Sequence, residues 1–305
     1  MSLFNKTKNK NKIREGTAIG NFILYAILVI LAFVTLYPVY YVLILSVSDP
    51  LAAASMKVYL WPDGFYLDTY GMLVENAKMW RAYANTIMYA STNTILMLIT
   101  CCMAAFPLTY KGLIGRKWIN IFLIIPMYFG GGLIPTFLLI TKLGMYNSPL
   151  ALIIPTCVSI WYIILTKSYF SSLPHSLREA AKIDGANNYQ ILLQIFIPMS
   201  KPIMAVIAVY TIVGVWNAWY NASIYLPTID WQPLQLYLRR VLVNLSNELV
   251  QDLGKENAEM LARQKLSSIQ MRYAMIIFST LPIMCVYPFF QKHFVKGVMM
   301  GSLKE

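Results

Sequence analysis

Two groups of residues in this sequence have types and spacing that could do chemistry, and in both the chemistry is binding rather than bond-making. The first lies in the polar stretch from Ser172 to Pro202, between two long apolar runs. Ser176 and Glu179 have the spacing of a capping box, in which hydroxyl and carboxylate satisfy each other's orphan backbone donors. Leu177, Ala180, Ala181 and Asp184 fall on one helical face. Gly185 can take the left-handed conformation that ends a helix. Asn187 or Asn188 can cap a second helix, whose apolar run carries into Pro198. The stretch predicts two short helices about a glycine turn, shown at a surface for docking. An amphipathic hairpin lying on lipid headgroups is the other reading.

The second group is Trp216, Asn217, Trp219, Tyr220 and Asn221, bunched at one end of an apolar run. Asn217 and Asn221 are predicted to share a helical face, with Trp216 and Tyr220 beside them. Aromatic faces stack on the C–H patches of a sugar, and amides bond its hydroxyls. An interfacial aromatic belt enriches the same residue types at the same depth, so both readings stand. Asn93, Tyr128 and Trp161 are further lining candidates, with helix packing as the plainer reading of each.

Catalytic constellations are missing. The two histidines, His175 and His293, have no metal-ligating cluster around them, and no Ser-His-Asp arrangement is suggested. No GxxxxGK[ST] phosphate loop occurs. The glycine-rich GGGLIPT at 130–136 is apolar and lies inside a predicted span. Cys101, Cys102, Cys157 and Cys285 all sit in apolar runs, where they read as small buried hydrophobes.

The elements that must position these groups are membrane helices. The chain is 58% hydrophobic and 12% charged, against about 25% charged in soluble domains, so the bilayer is its solvent. Six runs are long enough to span the roughly 30 Å of hydrocarbon: Asn21–Val47, Tyr83–Tyr110, Trp118–Thr141, Pro149–Leu165, Ile203–Ile224 and Tyr273–Phe290. None holds a charged residue. The segments 1–20, 111–117, 166–202 and 291–305 carry fifteen Lys/Arg against four acids, and the opposite side carries ten against nine. The positive-inside rule then puts both termini and the 166–202 loop in the cytoplasm.

The organisation this predicts is a basic tail at 1–20, a six-helix transmembrane domain over 21–290, and a cytoplasmic tail at 291–305. Lys6, Lys8, Lys10, Lys12 and Arg14 precede an apolar run much longer than a signal-peptide core of about 7–15 residues. The first segment therefore reads as a retained helix, and its basic tail as an anchor on anionic membrane lipid rather than a nucleic-acid arm. The outer segment 225–272 reads as a polar helix or hairpin with a break at Gly254. A loop that long usually has a function, although a solvated cap on the bundle is the plain alternative.

The pattern of Glu179-Ala180-Ala181, then Gly185, then Ile197-Pro198 resembles the EAA loop of ABC importer permeases. Ile197 stands where Leu is common. WNAWYNASIYL, PLQLYLRR and QKHFVKGVMMGSLKE look like the carbohydrate-uptake branch, most of all the permeases for oligosaccharides and polysaccharides, and the likeness runs from about Asn21 to Glu305. The resemblance implies an all-α, maltose-type six-helix bundle in the bacterial cytoplasmic membrane. It implies a second permease subunit, an ATPase dimer and an extracellular sugar-binding protein as partners.

ATP and Mg would be held by the ATPase, with no cofactor on this chain. Glu179, Ala180, Ala181, Asp184, Gly185 and Pro198 would couple to that ATPase. The tail, with Gly297 and Gly301, would lie along the ATPase interface, or else fray. The outer segment would touch the binding protein, and Trp216, Asn217, Tyr220 and Asn221 would line the substrate pathway. An ATPase-independent secondary transporter of sugar or lipid-linked glycan is the alternative. The lack of intramembrane charge counts against it. A membrane-embedded glycan enzyme would need an acid/base pair that is not found.

Overall fold

The apolar runs do form helices, but most do not form single rods. The computed structural model describes residues 18–55, 57–251 and 269–285, and these hold helices and no strand. In chain order the helices are α1 (Ala18–Val47), α2 (Pro50–Ser55), α3 (Asp68–Glu75), α4 (Ala77–Leu108), α5 (Arg116–Tyr128), α6 (Leu133–Lys142), α7 (Leu150–Ile153) and α8 (Ile160–Ser172). They continue with α9 (His175–Ile183), α10 (Asn188–Met199), α11 (Lys201–Asn217), α12 (Tyr220–Tyr225), α13 (Leu234–Gln251) and α14 (Ile269–Cys285).

Among the described residues, α1 and α4 are each long and apolar enough to cross a bilayer alone. Three helix pairs pass the same test of length and apolarity only when taken together, and each is bent: α5 with α6 by 110°, α7 with α8 by 42°, and α10 with α11 by 78°. Within three of the six expected spans the helix is interrupted. Trp118–Thr141 breaks at Phe129–Gly132, where Gly132 has φ +84° and no Cβ to strain. Pro149–Leu165 breaks at a 3₁₀ turn, Ile154–Thr156, whose Pro155 has no N–H to give. Ile203–Ile224 ends as a helix at Asn217, with Ala218 extended, and α12 is separate. The last expected span corresponds to α14, and Phe290 lies outside the described residues. Gly254 also lies outside them, while Leu234–Gln251 is one helix.

In lipid, burying apolar surface between helices gains little over leaving it in acyl chains. Close packing and interhelical hydrogen bonds, the latter about 0.6–2 kcal/mol each, hold the bundle. The hub is α4, which packs against α8 and α11. It gives residues to four separate buried clusters: Met79 and Tyr83, Tyr89, Met97 and Cys101, and Cys102 and Ala105.

Polar residues along it bond irregular segments elsewhere in the chain. Asn93 Oδ1 accepts from Thr156 Oγ1 at 2.8 Å, and Thr100 Oγ1 donates to the Cys157 carbonyl at 2.8 Å. Asn85 Nδ2 donates to the Asp230 and Gln232 carbonyls at 2.7 and 3.1 Å. Thr86 Oγ1 accepts from the Leu234 N–H at 2.8 Å. At Cys157, inside an apolar run, this is how irregular backbone at membrane depth is tolerated: protein satisfies it.

A second tie sits at Gln270 of α14, which is fully buried. Its Nε2 reaches the carbonyls of Ser48 at 2.7 Å and Tyr66 at 3.1 Å, and its Oε1 accepts from Thr69 Oγ1 at 2.8 Å. This joins α14 to the end of α1 and the start of α3. Most of α1 itself, from Ile19 to Leu36, is apolar and exposed until Ile44 and Leu45 enter a small core with Ala53 and Val58.

Candidate functional site

The 172–202 loop folds as two short helices about a glycine turn, α9 and α10. Pro174 caps α9 by position, without a side-chain bond. Its fixed φ starts the helix at His175, which leaves Ser176 inside the first turn. The expected Ser176–Glu179 capping box is therefore not made. The C-terminal end behaves as the sequence suggests. Gly185 has φ +79°, its N–H bonds the Lys182 carbonyl at 3.1 Å, and the Ala186 N–H bonds the Ala181 carbonyl at 2.9 Å. This is the paired closure of a Schellman motif, with Ala186 packed in the same cluster as Ala181. Asn187 then opens α10 with a reciprocal box: its Oδ1 accepts from the Gln190 N–H at 2.9 Å, and Gln190 Oε1 accepts from the Asn187 N–H at 2.8 Å.

Burial divides α9 lengthwise. Ala181 is buried, whereas Glu179, Ala180, Ile183 and Asp184 are exposed. Ile183 is 87% exposed, which leaves a large apolar side chain unpartnered on the outward face. Sequence reasoning did not single it out, although KID before the glycine was its signal. Pro198 is exposed in α10, just before the bend at Ser200. Between them Ile191–Phe196 forms a widened π turn, and Ile191, Leu192 and Phe196 are buried against Cys102, Ala105 and Phe170.

Arg178 is the residue the sequence did not reveal. Its guanidinium lies 4.9 Å from the Phe196 ring centre, 5.0 Å from Phe106 and 5.7 Å from Tyr110. Nη2 donates to Thr109 Oγ1 at 2.7 Å. Lys182 stands over the Tyr110 ring at 4.7 Å and donates to its hydroxyl at 3.1 Å. Burial pulls the Arg178 pKa below its usual value, with Tyr110 opposing the shift. The result is a cation clamped between α9, α10 and the end of α4, and cation–π contacts of this kind are worth about 0.5–2 kcal/mol each.

The second predicted group does not stay together. Trp216 is buried, donates through Nε1 to the Ser279 carbonyl at 3.2 Å, and meets Tyr83 edge-on. It belongs to the core. The break at Ala218 means Asn217 and Asn221 do not share one helical face. Asn217 is exposed and donates to the Val213 carbonyl of its own helix. Tyr220 and Asn221 are exposed, and Tyr220 meets Trp219 edge-on. Trp219, left out of the predicted lining set, instead carries the Arg239 guanidinium 3.5 Å from its ring centre. Gly297 and Gly301 lie outside the described residues.

Among the described residues no group of His, Cys, Asp and Glu could hold a metal ion. The arrangement is one of surfaces and clamps: an outward helical face held rigidly to the longest buried helix, and an aromatic and cationic cluster at the far end.

A family model described as "Binding-protein-dependent transport system inner membrane component" matches residues 97–300. The chain is 32% identical over 271 residues to Protein LplC of Bacillus subtilis, covering 89% of this chain and 90% of that one. It is 32% identical over 282 residues to the Polygalacturonan/rhamnogalacturonan transport system permease protein YtcP of the same organism, covering 92% and 97%. Among solved structures it is similar to a chain of a bacterial ABC transporter involved in import of the acidic polysaccharide alginate. There the TM-score is 0.81 at 32% identity, with 90% of this chain and 96% of that one covered.

Proposed function

The chain belongs to the family of binding-protein-dependent transport system inner membrane components, and from that premise we propose that it is the permease subunit of an ATP-driven importer that carries an oligosaccharide inward. The ATPase is a separate subunit in this family, and this chain performs no bond chemistry. The relatives are subunits of ABC transport systems, which leaves the ATPase-independent reading without support. In the proposed complex the chain crosses the cytoplasmic membrane six times, with α14 completing the sixth crossing and both termini inside. It pairs with a second permease, and the apolar exposed length of α1 faces lipid or that partner.

The observation that carries the reading is the α9 face. Glu179, Ala180 and Ile183 are exposed on a helix closed by Gly185 and clamped to α4 through Arg178. ATP-driven closure of the ATPases moves this face, and the clamp passes the motion to α4 and so to α8 and α11. Closure and reopening then switch access from one side to the other, a population shift driven by differential contacts. Asn217, Tyr220 and Asn221 line the outer part of the pathway, with Trp216 as support behind them. The tail with Gly297 and Gly301 lies along the ATPases, and the outer segment meets the sugar-binding protein.

Cysteine chemistry on a Cys-free background tests this. Ile183→Cys should cross-link to the ATPase subunit and resist an impermeant thiol reagent in intact cells, while Thr228→Cys should label from outside. External labelling at 183 with protection at 228 would overturn the orientation and the coupling role together.

A further inference from the structure

Coupling leaves one feature of the outer end unused: two adjoining cavities ringed by guanidinium groups. One, of about 290 Å³, is lined by Trp219, Ser223, Leu236, Arg239, Arg240 and Val243. The other, of about 480 Å³, shares Arg239 and Val243 and adds Arg272 and Tyr273. No carboxylate lines either among the described residues. The volumes sit around the lower bound for ligand cavities, about 300–1,000 Å³, room for the end of a sugar chain rather than the whole of it.

The stack of Arg239 on Trp219 at 3.5 Å is too close for anything but face-to-face contact. Stacking uses the flat face of a guanidinium and leaves its N–H donors pointing outward in the plane, the fork that fits a carboxylate with two parallel bonds. The indole also strips water from one side of the cation. Arg240 lines the same cavity. Arg239 is exposed and Arg240 half-buried, and neither makes an ion pair with a described residue, so both can meet an anion arriving from solvent. A neutral sugar would ask only for the aromatic face and hydroxyl partners such as Ser223. Cations are in excess of that need.

We propose that Arg239, stacked on Trp219 and flanked by Arg240, reads the carboxylate of an acidic oligosaccharide as it enters from the outer side, so that the substrate class is a uronic-acid oligosaccharide. This rests on the import reading and narrows its cargo. Arg239 takes the carboxylate through its outward fork, Arg240 adds charge, and Ser223 is placed for a ring hydroxyl.

The test uses the whole importer in proteoliposomes, with its second permease, ATPases and binding protein. ATP-dependent uptake is measured for galacturonate and mannuronate trisaccharides, each beside its carboxyl-reduced, neutral form. The wild type should favour the uronates. Arg239→Gln should lower the uronate-to-neutral uptake ratio about ten-fold or more, the usual size of a lost charged hydrogen bond. Arg239→Lys should recover part of it, since charge returns without the fork. The binding protein is the same in every arm, so a changed ratio belongs to this chain. An unchanged ratio overturns the proposal. So does an equal loss of both sugar forms, which would make Arg239 part of the fold. Uptake of the neutral forms alone overturns it and leaves the import reading standing. ATP-driven uptake of no carbohydrate in the panel overturns both.

Discussion

Arg178 and Glu179 are neighbours in sequence and face opposite ways: the guanidinium is wedged between Phe106 and Phe196, while the carboxylate side is exposed. A push on the outward face therefore meets a side chain already bolted to α4. The proposed coupling needs this stiffness, because a helix that merely rested on the bundle would roll under load.

Arg178→Ala should remove three aromatic contacts and the bond to Thr109 at once. The expected loss is about 1–3 kcal/mol of stability, from cation–π and charged hydrogen-bond terms in a half-buried site. In the assembled importer, ATP hydrolysis should persist while sugar uptake falls. Uptake per ATP, measured in proteoliposomes, checks this. Unchanged stoichiometry would show that α9 transmits force by another route.

Gly185→Val should impair transport through backbone strain alone. A Cβ there meets no atom within 4 Å, so the penalty comes from φ +79° and is about 1–2 kcal/mol. Gly185→Asn should be milder, since Asn tolerates the left-handed region. If Val and Asn variants transport equally well, the turn does not set the docking surface.

Asn93→Leu should leave the Thr156 hydroxyl without its 2.8 Å partner on α4 and put an apolar side chain against the broken turn. The hydroxyl keeps the Leu152 carbonyl as an acceptor, so the expected loss is that of one bond, about 0.5–1.5 kcal/mol. Thermal unfolding of the purified protein in detergent is the measurement, and a melting temperature equal to wild type would contradict the role assigned to Asn93.

Trp216 and Asn221 should separate cleanly. Trp216→Ala should cost about 3–5 kcal/mol of stability, as a buried indole that fills core space. Asn221→Ala should leave stability alone and weaken uptake. Quantifying assembled protein alongside transport distinguishes the two, and full uptake by Asn221→Ala would remove that residue from the pathway.

Legibility in the sequence followed the range of the interaction. Gly185 and Asn187 were readable because their bonds close within three to five residues, to Lys182, Ala181 and Gln190. The Arg178 clamp was not, because Phe106 comes from another helix and nothing near position 178 names it. Hydropathy found the apolar runs yet missed their breaks. A window averaged over Gly130–Gly132 or Pro155 stays apolar, although both carried the chemical sign of a break. The missed capping box had a local cause in Pro174. The break at Ala218, which separates Trp216 from Trp219, had none, since no Gly or Pro stands within it.

The polar stripe of α4 also bears on how the chain is made. Asn93 and Thr100 precede their partners Thr156 and Cys157 by 63 and 57 residues. At a synthesis rate of about 5–20 residues per second, the broken turn leaves the ribosome roughly three to twelve seconds after the helix that satisfies it. The Asp230–Leu234 linker comes later still and meets Asn85 and Thr86 on the same helix. Insertion thus proceeds onto a template already in the bilayer. The Cys157 carbonyl therefore meets its donor on a helix that is already made, so a lesion in α4 would surface first as degraded nascent protein.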